Sequence, residues 1–171
     1  LLSDQLSSLR GQRIGLVCNQ ASVLPDLRHA ADVFFEHPDI NLTTLFGPQH
    51  GIRGDVQDNM IETDHAVDSH TGLWIYSLYS ETREPTEKML ADVDTIVFDL
   101  QDVGCRIYTF ITTLRYVLEA AAAHGKAVWI LDRPNPVGRP IEGTRLVPGW
   151  ESFVGAGALP MRHGLTMGEL A

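Results

Sequence analysis

The chain has 171 residues, 44% hydrophobic and 20% charged, with a net charge of −9 at neutral pH, the profile of a folded globular domain rather than a disordered segment. The acidic balance argues against a nucleic-acid partner, which requires Lys and Arg clustered on phosphates, and no run approaches the ~20 apolar residues of a membrane span. With Leu1 at its start and a helix-like beginning at Thr166 to Ala171, the chain is expected to be an excised N-terminal domain, so a missing leader carries no weight.

Arg13 to Cys18 is a short apolar run ending in Asn19-Gln20, and reads as a first strand. From Leu27 to His37 the spacing of Leu27, Ala30, Ala31, Phe34 and Phe35 predicts a helix closed by Pro38. Asn41 to Phe46 is a second strand, stopped by Gly47-Pro48. Only Leu73 to Leu78 is strand-like between Gly47 and Lys88, a stretch of about 40 residues whose length marks it as functional. Thr95 to Leu100 has the continuous β-branched and aromatic character of a buried parallel strand. Arg106 to His124 predicts a long helix with Gly125 as its left-handed cap, and Ala127 to Leu131 a further strand. Thr166 caps a last helix beginning at Met167. Cys18 and Cys105 lie near apolar strands with no metal spacing and read as buried free thiols.

Strands alternating with helices imply α/β, a Rossmann-like three-layer fold with a mostly parallel sheet and helices on both faces. Ligands of such sheets bind beyond the carboxyl ends of the strands. Those ends carry Asn19-Gln20, Gly47 to Gly54, Asp99 to Gly104 and Asp132 to Pro136, so four polar turns are expected on one rim. Asn19 to Pro25 contains no glycine and the chain has no phosphate loop, which argues against nicotinamide, flavin and ATP chemistry. Asp99 and Asp102 are three residues apart rather than the two of an aspartate-nucleophile phosphotransferase. His50, Asp55, Asp58, Glu62, Asp64, His65, Asp68 and His70 include metal-ligand types, but in no known ligand spacing, and read as a solvated polar loop.

Glycoside cleavage needs a proton donor for the leaving oxygen and a second group at the anomeric carbon. Asp102, Asp132 and Glu142 are the carboxylates expected at the rim, with Gln49 as a neutral hydrogen-bonding group. Each has a bland alternative: Asp99 and Asp132 as turn caps, Asp102 as the cap of the long helix. Glu119, among alanines, reads as solvated. Arg106, in the first turn of the expected helix, opposes the helix dipole and calls for an anionic partner, either Asp102 or a substrate carboxylate.

Phe46-Gly47-Pro48-Gln49-His50-Gly51-Ile52-Arg53-Gly54 resembles the F-[GS]-P-E-H-G-x-R-G signature of one bacterial family. Tyr76 to Tyr79, Asp99 to Gly104, Arg106-x-Tyr108-Thr109, Asp132 to Pro136 and Arg162 to Leu170 resemble its further motifs in the same order. By this resemblance, which runs from Gly15 to Ala171, the chain is identified as a member of the DUF1343 family, which includes the NamZ-type exo-β-N-acetylmuramidases. The resemblance implies a Rossmann-like N-terminal domain joined to a C-terminal domain of the same chain, with the site between them. It implies cofactor-free release of terminal N-acetylmuramic acid from the non-reducing end of peptidoglycan fragments. A muropeptide or disaccharide is then the substrate, and a periplasmic or secreted bacterial location follows from it.

Gln49 stands where many members carry Glu, and an amide neither donates nor accepts a proton at neutral pH. That leaves open a different set of catalytic residues, a different sugar, or binding without cleavage; a metal-dependent hydrolase is a weaker alternative. Glu142 and Asp102 are the leading carboxylates, with Gln49 and His50 beside them. The lactyl carboxylate of muramic acid favours arginine, so Arg53, Arg106 and Arg133 are assigned to substrate binding, together with Asn19, Tyr108, Asn135 and His163.

Overall fold

The strands are β1 (Arg13–Cys18), β2 (Asn41–Gly47), β3 (Ala66–Val67), β4 (Trp74–Ser77), β5 (Thr95–Asp99) and β6 (Ala127–Ile130), and they form one sheet in the order β3-β4-β2-β1-β5-β6. The computed structural model describes residues 1–2, 4–54 and 62–171. Every pairing in the sheet is parallel except β3 with β4. All five residues of β5 are buried, as expected of an interior parallel strand.

Alternating side chains divide the core between the two faces. Val17, Phe46, Ile96 and Phe98 pack with Leu114 and Val117 of α2 (Phe110–Ala123). Leu16, Cys18, Leu45 and Val97 pack with Ala31 and Phe34 of α1 (Ala30–Glu36). Each of the Val, Leu, Ile and Phe side chains contributes about 1.5–3 kcal/mol when fully buried. The Rossmann-like three-layer arrangement expected from the alternation is the one found.

Both helices start later than their periodicity predicts, for tertiary reasons. Leu27 is 79% exposed and has φ +67°, outside the helical region. His29 caps α1 instead: its Nδ1 accepts from Ala31 N–H, which leaves Nε2–H to donate to the Asn19 carbonyl at 2.9 Å. The long helix begins at Phe110 rather than Arg106, because Arg106 N–H donates to the Met161 carbonyl and draws the preceding turn away. Its other end is as expected, with Gly125 at φ +62°.

Three strands went unpredicted: the two-residue β3, and β7 (Glu142–Arg145) and β8 (Pro160–Arg162), which form a separate antiparallel pair. Every residue of β7 is exposed, so no apolar alternation announced it. A four-residue α3 (Met167–Leu170) follows, with Thr166 and Glu169 forming a capping box. No helix among the described residues is long and apolar enough to cross a membrane.

Candidate active site

Because the sheet is parallel, Cys18, Gly47, Ser77, Asp99 and Ile130 end at one edge, and the turns that follow them share a rim. The chain leaves β1 towards β2 on one side and later returns to β5 on the other. The turns after β1 and β5 therefore diverge, which is where such sheets open a crevice.

On the α1 face that crevice is laced shut. Asn19 N–H donates to Ser22 Oγ, Asn19 Oδ1 accepts from Ala21 N–H, and the Ser22 hydroxyl donates to the Asp99 carbonyl. Arg133 donates to the Asp99 carboxylate and to the Ala21 carbonyl, joining the turns after β1, β5 and β6. Burial pushes the Asp99 carboxyl above its usual range, and the Arg133 charge works against that shift. Arg53 lies between Asp32 (2.6 Å) and Asp68 (3.0 Å), both of which it engages with two nitrogens. The hydrogen bond to Asp32, then that to Asp68, raises the guanidinium further above its ordinary value. Arg53, Arg133 and the side-chain oxygen of Asn19 are thus engaged by the protein's own chain.

On the α2 face the turn after β5 is the centre. Asp102 is 2% exposed, and its Oδ2 accepts from Gly104 N–H at 2.6 Å. It is not the cap of α2, whose N-terminal residue lies well beyond it. His163 Nε2 stands 3.2 Å from the same oxygen, off the line of a good hydrogen bond. Asp102 Oδ1 is buried and accepts no hydrogen bond among the described residues. Desolvation raises the Asp102 carboxyl above its ordinary range, against the opposing pull of the Gly104 N–H and His163.

Gly104 has φ +74°, and a Cβ there would sit 2.4 Å from Val137 Cγ2 and 2.6 Å from Asn135 Nδ2. Asn135 is held in turn, donating to the Leu165 carbonyl and accepting from Val137 N–H. The turns after β5, β6 and β8 are therefore locked around Asp102. Tyr108 packs edge-on against Phe110 with 4.7 Å between centroids, and burial followed by the Asp102 charge raises its phenol above the usual value.

The remaining candidates fall elsewhere. Arg106 is buried and donates to the carbonyls of Thr144 (2.9 Å) and Leu159 (2.6 Å), so its partners are backbone oxygens rather than the expected carboxylate. Glu142 is exposed on β7, where it is paired with Arg162 at 2.8 Å. Asp132 caps α3, accepting from Thr166 Oγ1 and Gly168 N–H. Glu119 is paired with Arg115 on the surface. Gln49 and His50 are half-buried in the turn closed by Gly51 N–H on the Pro48 carbonyl, and His50 has φ +73°, a strained conformation for a residue with a side chain.

Of the polar loop, Asp55 and Asp58 lie outside the described residues. Asp68 accepts from Arg53 and Thr71, and His65 Nδ1 accepts from Ser77 N–H. Among the described residues no three His, Cys, Asp or Glu side chains are grouped as metal ligands. Cys18 is a buried free thiol as expected; Cys105 is free but only half-buried, its Sγ 3.9 Å from Met161 Sδ. A further cluster escaped the sequence reading: Arg83 lies 4.0 Å over the Tyr79 ring, with Phe153 packed against Tyr79 and Tyr116. Phe153 comes from a segment far along the chain, so no local pattern announces that contact.

The family described as "Exo-beta-N-acetylmuramidase NamZ, N-terminal" matches residues 14–171. The chain belongs to this family. It is 49% identical, over its whole length, to the peptidoglycan beta-N-acetylmuramidase NamZ of Bacillus subtilis (strain 168), of which it covers 41%. Two crystal structures of DUF1343 family proteins from Bacteroides fragilis NCTC 9343 are similar. One has a TM-score of 0.89 at 46% identity, over 99% of this chain and 42% of the other. The second has a TM-score of 0.82 at 33% identity, over 96% and 42%. The chain thus spans about two fifths of the length of these relatives.

Proposed function

We propose that this chain is the N-terminal, acid-bearing part of an exo-β-N-acetylmuramidase, releasing terminal N-acetylmuramic acid from the non-reducing end of peptidoglycan fragments. The activity named for the B. subtilis relative supports the substrate class. The observation that carries the chemistry is Asp102, a buried carboxyl at the end of β5 with its pKa raised and one oxygen unpartnered. A raised carboxyl stays protonated where an exposed one has ionised, which is what donation to a leaving glycosidic oxygen requires. The exposed side chains of Val103, Ile107 and Tyr108 belong to the same turn and are assigned to the approach of the substrate. Gln49 and His50 orient the sugar across the rim.

The relatives' extra length is assigned to a C-terminal domain of the same chain. The surface suited to it is an apolar groove of about 500 Å3 between α2 and residues 156–159, lined by Leu114, Leu118, Leu159 and Leu170. The substrate's nature assigns the protein to the periplasm or the exterior of a bacterial cell.

The full-length protein is expected to release the chromophore of para-nitrophenyl N-acetylmuraminide. Asp102→Asn is expected to lower kcat by about 100-fold or more, the usual contribution of a general acid. Turnover within twofold of wild type in that variant would remove Asp102 from the chemistry. A second reading, sugar binding without turnover, draws on Gln49. It predicts saturable calorimetric binding of N-acetylmuramic acid with no chromophore release, and release restored by Gln49→Glu would identify lost catalysis at that position.

A further inference from the structure

The His163 side chain is completely buried beside Asp102, and both of its ring nitrogens face polar groups. Nδ1 accepts from Leu165 N–H at 3.2 Å, which puts the hydrogen of the neutral ring on Nε2, as the network requires. That hydrogen faces Asp102 Oδ2 across 3.2 Å. The same oxygen already accepts from Gly104 N–H, and His163 N–H donates back to the Gly104 carbonyl. Oδ2 thus accepts from Gly104 N–H and has His163 Nε2 beside it, off the line of a good hydrogen bond. Oδ1 has no hydrogen-bond partner among the described residues and is the oxygen left for a proton.

We infer that His163 is a positioning residue for the proposed acid: its Nε2–H steers the Asp102 proton to Oδ1. This rests on the reading of Asp102 as the proton donor. The titratable groups facing Asp102 among the described residues are His163, from the turn after β8, and Tyr108, from the turn before α2. The Tyr108 phenol is itself raised above its usual value, so His163 is the titratable neighbour that, after the Gly104 N–H, opposes the effect of burial on the carboxyl. The work of His163 is electrostatic and geometric, with no proton passing through the ring.

Two substitutions separate this role from simple packing. In His163→Asn the amide retains an acceptor near the Nδ1 position for Leu165 N–H and loses the group facing Asp102. In His163→Gln the amide places a donor near the Nε2 position and loses the acceptor for Leu165. Carbon-13 titration of the Asp102 carboxyl in the full-length protein reads its midpoint without reference to activity. The alkaline limb of kcat reads the same group at work, since a general acid fails as pH rises through its pKa. His163→Asn is expected to move both to higher pH and to lower kcat by about tenfold, with KM within twofold of wild type. His163→Gln is expected to keep both midpoints near wild type. If His163→Asn leaves the carboxyl titration where it was, or His163→Gln shifts it as far as Asn does, His163 is only a packing residue. Failure of the parent reading looks different: Asp102→Asn then stays active while the carboxyl titration still responds to His163→Asn.

Discussion

Replacing Gly104 with alanine tests the lock around Asp102 directly. At φ +74° an L side chain costs roughly 1–2 kcal/mol in backbone strain alone. The added Cβ would also lie 2.4 Å from Val137 Cγ2 and 2.6 and 2.7 Å from the two amide atoms of Asn135. Those are not free ends, because Asn135 bonds the Leu165 carbonyl at 3.0 Å and Val137 N–H at 3.1 Å. Moving the amide aside sacrifices both bonds, at about 0.5–1.5 kcal/mol each, so the total is about 2–5 kcal/mol. Gly125→Ala is the control: φ is +62°, but no atom lies within 4 Å of the new Cβ, so only the backbone strain remains. Urea unfolding of the two variants is therefore expected to differ by about 2 kcal/mol, with Gly104→Ala the weaker. Its activity should fall as well, since Gly104 N–H holds Asp102 Oδ2. Equal losses in the two variants would refute the close-approach argument and leave only backbone conformation.

Arg53→Met strands Asp68, whose side chain is 2% exposed, and removes the ion pair with Asp32. The expected loss is about 3 kcal/mol by urea unfolding, reduced from the fully buried case because Asp32 is partly solvated; a loss below ~1 kcal/mol would show that Arg53 is not structural. Asp94 is held at a pKa of about 2, first by the Arg13 side-chain hydrogen bond and then by Arg13 N–H. Its folded value lies below the unfolded one, so its contribution is complete above pH ~4 and is lost as pH falls towards 2. Asp94→Asn should accordingly lower the thermal midpoint at pH 7 and flatten its acid dependence, and parallel wild-type and variant curves from pH 5 to 2 would contradict this.

The strands were legible because their signal is local. An unbroken β-branched and aromatic run such as Thr95–Asp99 has few homes other than the interior of a parallel sheet, and the polar residues after each strand then fall on one rim. The motif order from Gly15 to Ala171 likewise pointed to the family on sequence alone. Helix starts were less legible, because tertiary bonds compete with periodicity: Arg106 N–H is taken by Met161, and His29 caps α1 from a turn tied to Asn19. The exposed β7–β8 pair offered no alternation to read.

The roles of the rim residues were decided by tertiary structure. Residue type marks Arg53, Arg106 and Arg133 equally as anion binders, yet their partners are two aspartates, two backbone carbonyls and Asp99 with Ala21. Asp102 and Asp132 read alike as strand-end carboxylates, but one is buried beside His163 with an oxygen to spare and the other caps α3 in the open. A side chain's type sets which interactions it can make. Which it makes, and whether its charge is desolvated, depends on neighbours that only folding brings from distant parts of the chain.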